Sequence, residues 1–256
     1  MFTRQSTELN QSWQNMCNAS LFAAIAVTTA SSAEKVEDAL RKGANVNAEN
    51  RDGDNSLIVA IHNSIILQSE RQTEISARVV KLLVDAGGEA KNRQDAVEIF
   101  NYLFRRSKTD LLKLLLSRGV LTRINQSDIQ FAIHEIAHHG TMDSLPVMKL
   151  CIDEAVKRGI VVSELFGSGG TVKVPLLHAA VSSFHLDVRL PLIRLLLTYD
   201  VDVFQKNGDG LIAEEVATRS LSDLSLQGLV DMNNIVSMLR ACAVTARFAS
   251  FESGLR

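Results

Sequence analysis

Apolar residues recur along this chain at intervals of three and four, the spacing of one buried helix face, and the stretches between are polar and rich in Gly, Asn and Asp. Several of the apolar segments end alike: VEDALRKG at 36–43, VVKLLVDAG at 79–87 and LLKLLLSRG at 111–119, with two more closing at Gly159 and Asp200. These closing positions lie 44, 32, 40 and 41 residues apart, a loosened period of one helix pair. A second, shorter apolar segment precedes each ending, at 21–27, 57–65, 96–104, 129–138 and 176–181, so every unit is predicted to be helix, turn, helix. A sixth pair at 211–217 and 235–243 closes the series. Gly43, Gly87, Gly119 and Gly159 stand where a left-handed residue ends a helix, and Arg41, Lys42, Arg118, Lys157 and Arg158 complement the negative end of the helix dipole there.

With 46% hydrophobic residues in 256, the chain can bury a continuous core, and only 3 prolines with 5% aromatics favour helices over many short strands. An all-α fold is expected. The formal net charge of -2 leaves no cationic excess to neutralise a phosphate backbone, so nucleic acid is not an expected partner. Cys17, Cys151 and Cys242 are odd in number and far apart, which fits neither a disulfide framework nor a close-spaced metal motif and predicts a reducing, cytoplasmic setting. Residues 21–27 follow Arg4 and are apolar, but so short a run preceded by Glu8 is not expected to be a secretory leader. No other stretch approaches the length of a membrane span, so membrane insertion is not expected.

Three strings carry a resemblance to a known family. GANVNAENRDGDNSL at 43–57, VPLLHAA at 174–180 and DVDVFQKNGDG at 200–210 resemble the helix end, finger turn and helix opening of ankyrin repeats. The likeness covers residues 20–243 and weakens in unit three, which has no recognisable opening from Asp95. It implies an ankyrin-repeat solenoid of about six stacked units, flanked by an N-terminal extension or capping segment at 1–19 and a C-terminal tail at 244–256. The physics stands beside the likeness. A Gly followed by an Asn/Asp-rich run reverses the chain, small residues such as Ala60, Ala132, Ala179, Ala180, Ala213 and Ala217 admit close helix packing, and a unit that cannot bury its own apolar face must stack. Departures fall at 68–74, at 141–145, in SSFHLDVR at 182–189, and in a loop at 160–173 containing GSGG at 167–170. These irregular lengths are similar in style to ankyrin proteins that intracellular bacteria deliver into host cells.

HEIAH at 134–138 matches the pattern in which two histidines on one helical face bind zinc and the glutamate acts as general base, with Glu154 or Glu164 as third ligand and His139 as a spare. The repeat register supplies another role. His134 falls at the histidine of the family's ThrProLeuHis opening, which typically bonds backbone groups and orders the turn, leaving His138 to face solvent or the next unit. Neither a strand-rich subdomain nor a metzincin continuation accompanies the motif, so it is read as structural; no metal, cofactor or catalytic residue is predicted. His62, His178 and His185 lack partners at ligand spacing and are read as packing or surface residues, Arg105, Arg106 and Lys108 as a solvated helix end, and Trp13 as either a cap on the first pair or a partner anchor.

The function implied by the resemblance is a module, monomeric alone, that binds another protein or peptide through its concave face and finger loops. Register nominates Asn50, Arg51, Asp52 and Asp54 in the first finger, Lys91, Asn92 and Arg93 in the second, and Arg123 and Asn125 in the third. Phe166 and Lys173 come from the long loop, and Phe204, Gln205, Lys206 and Asp209 from the last finger. The alternatives are a zinc-dependent hydrolase built on HEIAH and a secreted effector aimed at a host protein.

Overall fold

The structure, a computed structural model, describes residues 2–66, 70–162, 174–199, 201–223 and 226–254. Among the described residues there are twelve α-helices and no β-strand beyond an isolated bridge between Glu49 and Asn55. The chain divides into two compact units, residues 1–124 and 125–256.

The first unit holds α1 (Phe2–Ala26), α2 (Ser32–Arg41), α3 (Ser56–Ile66), α4 (Glu70–Asp85), α5 (Arg93–Arg105) and α6 (Thr109–Ser117). Within it α1 packs on α3 and α3 on α5, while α2 packs on α4 and α4 on α6; each pair also packs internally. First helices therefore form one layer and second helices another. The apolar residues at helical spacing face inward, with Leu57 and Ile61 of α3, Leu83 of α4, Ile99, Phe100 and Leu103 of α5, and Leu112 and Leu115 of α6 almost wholly buried. The second unit repeats the plan with α7 (Gln126–His139), α8 (Leu145–Lys157), α9 (Leu176–Val181), α10 (Leu186–Leu197), α11 (Ala213–Arg219) and α12 (Leu226–Gly254). Here α9 packs on both α7 and α11, and α10 on α12. Each predicted apolar pair thus becomes a helix pair. Both terminal helices exceed their apolar segments: α1 begins at Phe2, and α12 continues to Gly254.

The predicted glycine endings form as left-handed caps, with φ of 96° at Gly43, 87° at Gly87, 73° at Gly119 and 77° at Gly159. In each, the next residue's N–H closes back on the carbonyl five residues earlier, as in Ala44 to Ala39 (3.0 Å) and Ile160 to Ala155 (2.9 Å), which satisfies carbonyls that the ending helix leaves open. The end of α5 uses the same closure, Lys108 N–H to Leu103 C=O at 2.9 Å, but places Ser107 at φ 51°. A side chain is strained there, so Ser107→Gly is expected to raise the unfolding free energy by about 0.5–1 kcal/mol in urea titration. A loss of stability would contradict this account of the α5 end.

Candidate functional site

The finger turns are built first from asparagine. Asn50 Oδ1 accepts the backbone N–H of Asp52 (2.8 Å) and of Asp54 (2.9 Å), the Asn50 N–H donates to the Asp54 carbonyl (2.8 Å), and the Gly53 N–H donates back to the Asn50 carbonyl (3.3 Å). In the second unit Asn207 repeats all four bonds: it accepts from Asp209 and Leu211 (3.0 Å each), donates to Leu211 (2.9 Å) and receives Gly210 (3.0 Å). Upstream, the Asn45 side chain accepts the Asn47 N–H (3.0 Å), just as the Asp202 side chain accepts the Phe204 N–H (2.9 Å). The two fingers are one motif made twice. Because an amide side chain closes each turn, Asn50→Ala and Asn207→Ala are each expected to cost about 1 kcal/mol and to raise amide exchange at the two N–H groups released. Unchanged exchange at Asp52 and Asp54 would refute the role of Asn50.

Several nominated contact residues are committed to their own scaffold. Asn92 caps α5 by accepting the Asp95 N–H (3.0 Å), and Asn125 forms a reciprocal capping box with Asp128 on α7. Lys91 pairs with Glu49 at 2.5 Å, a bond that raises the ammonium pKa, and its carbonyl receives the Arg123 guanidinium. Asn47 and Asn55 reach the same finger base, bonding backbone between Gly87 and Glu89. Phe204 is half-buried beneath the Arg247 guanidinium, 5.3 Å from the ring centre. Arg51, Asp52, Lys206 and Asp209 are exposed, Gln205 is half-buried, and Arg93 is exposed at the start of α5. Phe166 and Lys173, with the GSGG loop and Glu164, lie outside the described residues.

At the start of the first unit, Trp13 donates to the Lys42 carbonyl (3.3 Å), Gln14 to the Gly43 carbonyl (2.5 Å), and Asn18 accepts the Asn45 N–H (2.8 Å). The middle turns of α1 thereby satisfy the end of α2, while the Trp13 ring stays 53% exposed.

Two recesses belong to the first-helix layers, and of the residues that line them register nominated Asp209 alone. In the first unit an open groove of about 360 Å³ runs along one stripe of α5, from Gln94 through Val97, Glu98, Asn101 and Tyr102 to Arg105 and Arg106. The signal was in the sequence: these positions follow the helical period opposite the apolar set Ala96, Ile99, Phe100, Leu103 and Phe104. Glu98 lies 3.1 Å from His62 Nε2, and the Tyr102 ring leans on the His62 ring at 4.7 Å.

In the second unit a pocket of about 360 Å³ is walled by His138 of α7, His178 and Ser182 of α9, Val216 of α11, and Asn207, Gly208 and Asp209 of the last finger. His178 is buried and its Nε2 lies 2.8 Å from the Leu211 carbonyl, tying α9 to the start of the next pair. This is the backbone-ordering role the resemblance assigned to His134. At His134 itself the Val174 backbone is near enough to raise the pKa, but Nε2 makes no closed hydrogen bond. His138 packs toward the next pair, its ring 5.6 Å from Phe184, whose own ring stacks on His139 at 4.9 Å and is 69% exposed. Burial lowers the pKa of His134, His138 and His178, so all three are neutral at neutral pH.

The zinc pattern does not assemble further among the described residues: no group of three or more His, Cys, Asp and Glu side chains is placed to hold a metal, and Glu154 is engaged by Arg158 at 2.7 Å. No described helix is long and apolar enough to cross a membrane.

No family model matches the sequence, and no curated protein matches it. Solved structures match the fold. The crystal structure of EF0377, an ankyrin repeat protein, superposes with a TM-score of 0.53 at 16% identity, covering 86% of this chain and 97% of that one. A chain in the structure of the Bd0816 predatory endopeptidase from Bdellovibrio bacteriovorus in complex with immunity protein Bd3460 gives a TM-score of 0.49 at 14% identity, covering 84% of this chain and 97% of that one. The fold is an all-helical ankyrin-type repeat.

Proposed function

We propose that this chain is a protein-interaction module whose contacts come from the finger tips and the exposed stripe of the first helices. The observation that carries the reading is the division of labour in the fingers. Asparagines and backbone close the turns, so the turns keep their shape without a partner, and Arg51, Asp52, Lys206 and Asp209 are presented on rigid supports. A preformed surface binds without first ordering itself, which lowers the entropic cost of association. The non-enzymatic reading of HEIAH is supported by what its side chains do: His134 Nε2 and His138 Nδ1 are shut from solvent, and His138 is packed against Phe184. The three free thiols, two of them buried, fit a reducing cytoplasm, whether of the source cell or of a host.

The test compares partners captured by the intact chain and by an Arg51→Glu, Asp52→Lys variant, from bacterial and from eukaryotic lysate. A partner held by the first and weakened at least tenfold on the second supports the module, and the lysate that supplies it decides between a housekeeping and a host-directed role. Zinc analysis and hydrolase assays on the same samples address the alternative. Stoichiometric zinc with a hydrolytic activity lost in Glu135→Gln would replace the module with an enzyme.

A further inference from the structure

We propose that the exposed stripe of α5 docks an extended, acidic segment of a protein partner, a reading that rests on the interaction-module function above and names what one of its faces takes. The charges of this stripe are unbalanced. Arg105 and Arg106 are both exposed, and among the described residues neither meets a carboxylate within 4 Å; Arg105 instead lies over the Phe104 ring at 5.8 Å. Glu98, the one acid in the groove, sits two turns earlier against His62. The C-terminal end of the groove therefore offers two guanidiniums in succession, each able to grip a carboxylate through two parallel N–H donors.

The remaining lining says what surrounds those carboxylates. Val97 and the Tyr102 ring, the latter held by His62, form an apolar floor for one aliphatic or aromatic side chain. Gln94 and Asn101 carry side-chain amides that can both donate to and accept from the main chain of an extended peptide. A groove of about 360 Å³ holds a side chain or two, not a folded domain. A phosphate backbone is a poorer match, because two cations beside a glutamate, on a chain of net charge -2, supply little counterion release. The occupant that fits is a short run with one apolar anchor followed by two Asp or Glu residues.

The experiment probes the full chain with an array of twelve-residue peptides of three kinds, matched in apolar content: acidic, neutral and basic. Acidic peptides are expected to bind in a salt-sensitive manner. In an Arg105→Glu, Arg106→Glu variant, checked by circular dichroism to melt as the parent does, their binding is expected to fall at least tenfold while basic peptides gain. An Arg105→Lys, Arg106→Lys variant should retain part of the acidic binding. Acidic peptides that bind both forms equally, or fail to bind the parent, overturn the assignment. If such a failure comes with a protein partner still lost in the finger variant, the module reading survives and only the α5 site falls. If no peptide and no partner is held, both fall.

Discussion

Phe100→Ala is expected to lower the unfolding free energy by about 3–5 kcal/mol, the usual cost of deleting a fully buried aromatic ring from a packed core. Phe100 is 1% exposed and heads the fully buried side chains by volume. Its ring lies 5.7 Å from that of Phe104, in the tilted arrangement aromatic pairs favour. It also belongs to a helix with two neighbours, since α5 packs against α3 of the preceding pair and against α6 of its own. A cavity opened there weakens an interface between pairs as well as one within a pair, and in a repeat stack those two terms supply most of the stability. Domains of this kind carry about 5–15 kcal/mol in total, so the variant would sit close to its unfolding threshold. Urea titration gives the loss directly, and amide exchange in α3, α5 and α6 should accelerate with it. A loss below about 1 kcal/mol would mean that the site collapses around the missing ring and that the described packing of α5 is wrong.

The fold was legible because its determinants are local and repeated. Each glycine that closes an apolar run became a left-handed cap with the same five-residue closure, and GANVNAENRDGDNSL and DVDVFQKNGDG became fingers with identical bonding at Asn50 and Asn207. Even unit three, which lacks the opening string, folded as a pair, because Asn92 caps its first helix and apolar spacing sets its buried face. Binding residues were harder to read for a physical reason. Register shows which residues stand in a turn, but an Asn in a turn has two uses, closing its own backbone or reaching outward, and Asn50, Asn92 and Asn125 all take the first. Lys91 and Arg123 were hidden differently. Their partners, Glu49 and the Lys91 carbonyl, lie 42 and 32 positions away, and only the stacking of fingers brings them together. Arg105 and Arg106 do stand exposed at the end of α5, as the sequence reading had them, and the helical period places Gln94, Val97, Glu98, Asn101 and Tyr102 on the same stripe.

The second large effect is expected at His178, where alanine should cost about 2–4 kcal/mol by leaving the Leu211 carbonyl without its donor and by opening space in a buried position. His178→Gln should recover part of the loss if its amide reaches the same carbonyl, which separates the hydrogen bond from the packing. The same residue makes stability depend on acidity. Burial lowers the pKa of His178, and burial together with neighbouring imidazoles lowers those of His134 and His138. A histidine with a lowered pKa in the folded state takes up fewer protons than it does unfolded, so its contribution is complete above the unfolded value of about 6.5 and is lost as pH falls through the folded values. Urea midpoints at pH 7.5, 6.5 and 5.5 should therefore decline in that order, with the decline smaller in His178→Gln because one of the three groups no longer titrates. Protonation would place positive charge in a pocket that both His138 and His178 line and where Asp209 is the acid among the lining residues. A curve flat from pH 7.5 to 5.5 would show that these imidazoles are hydrated in solution, and the buried linkage from α9 to Leu211 would then have to be discarded.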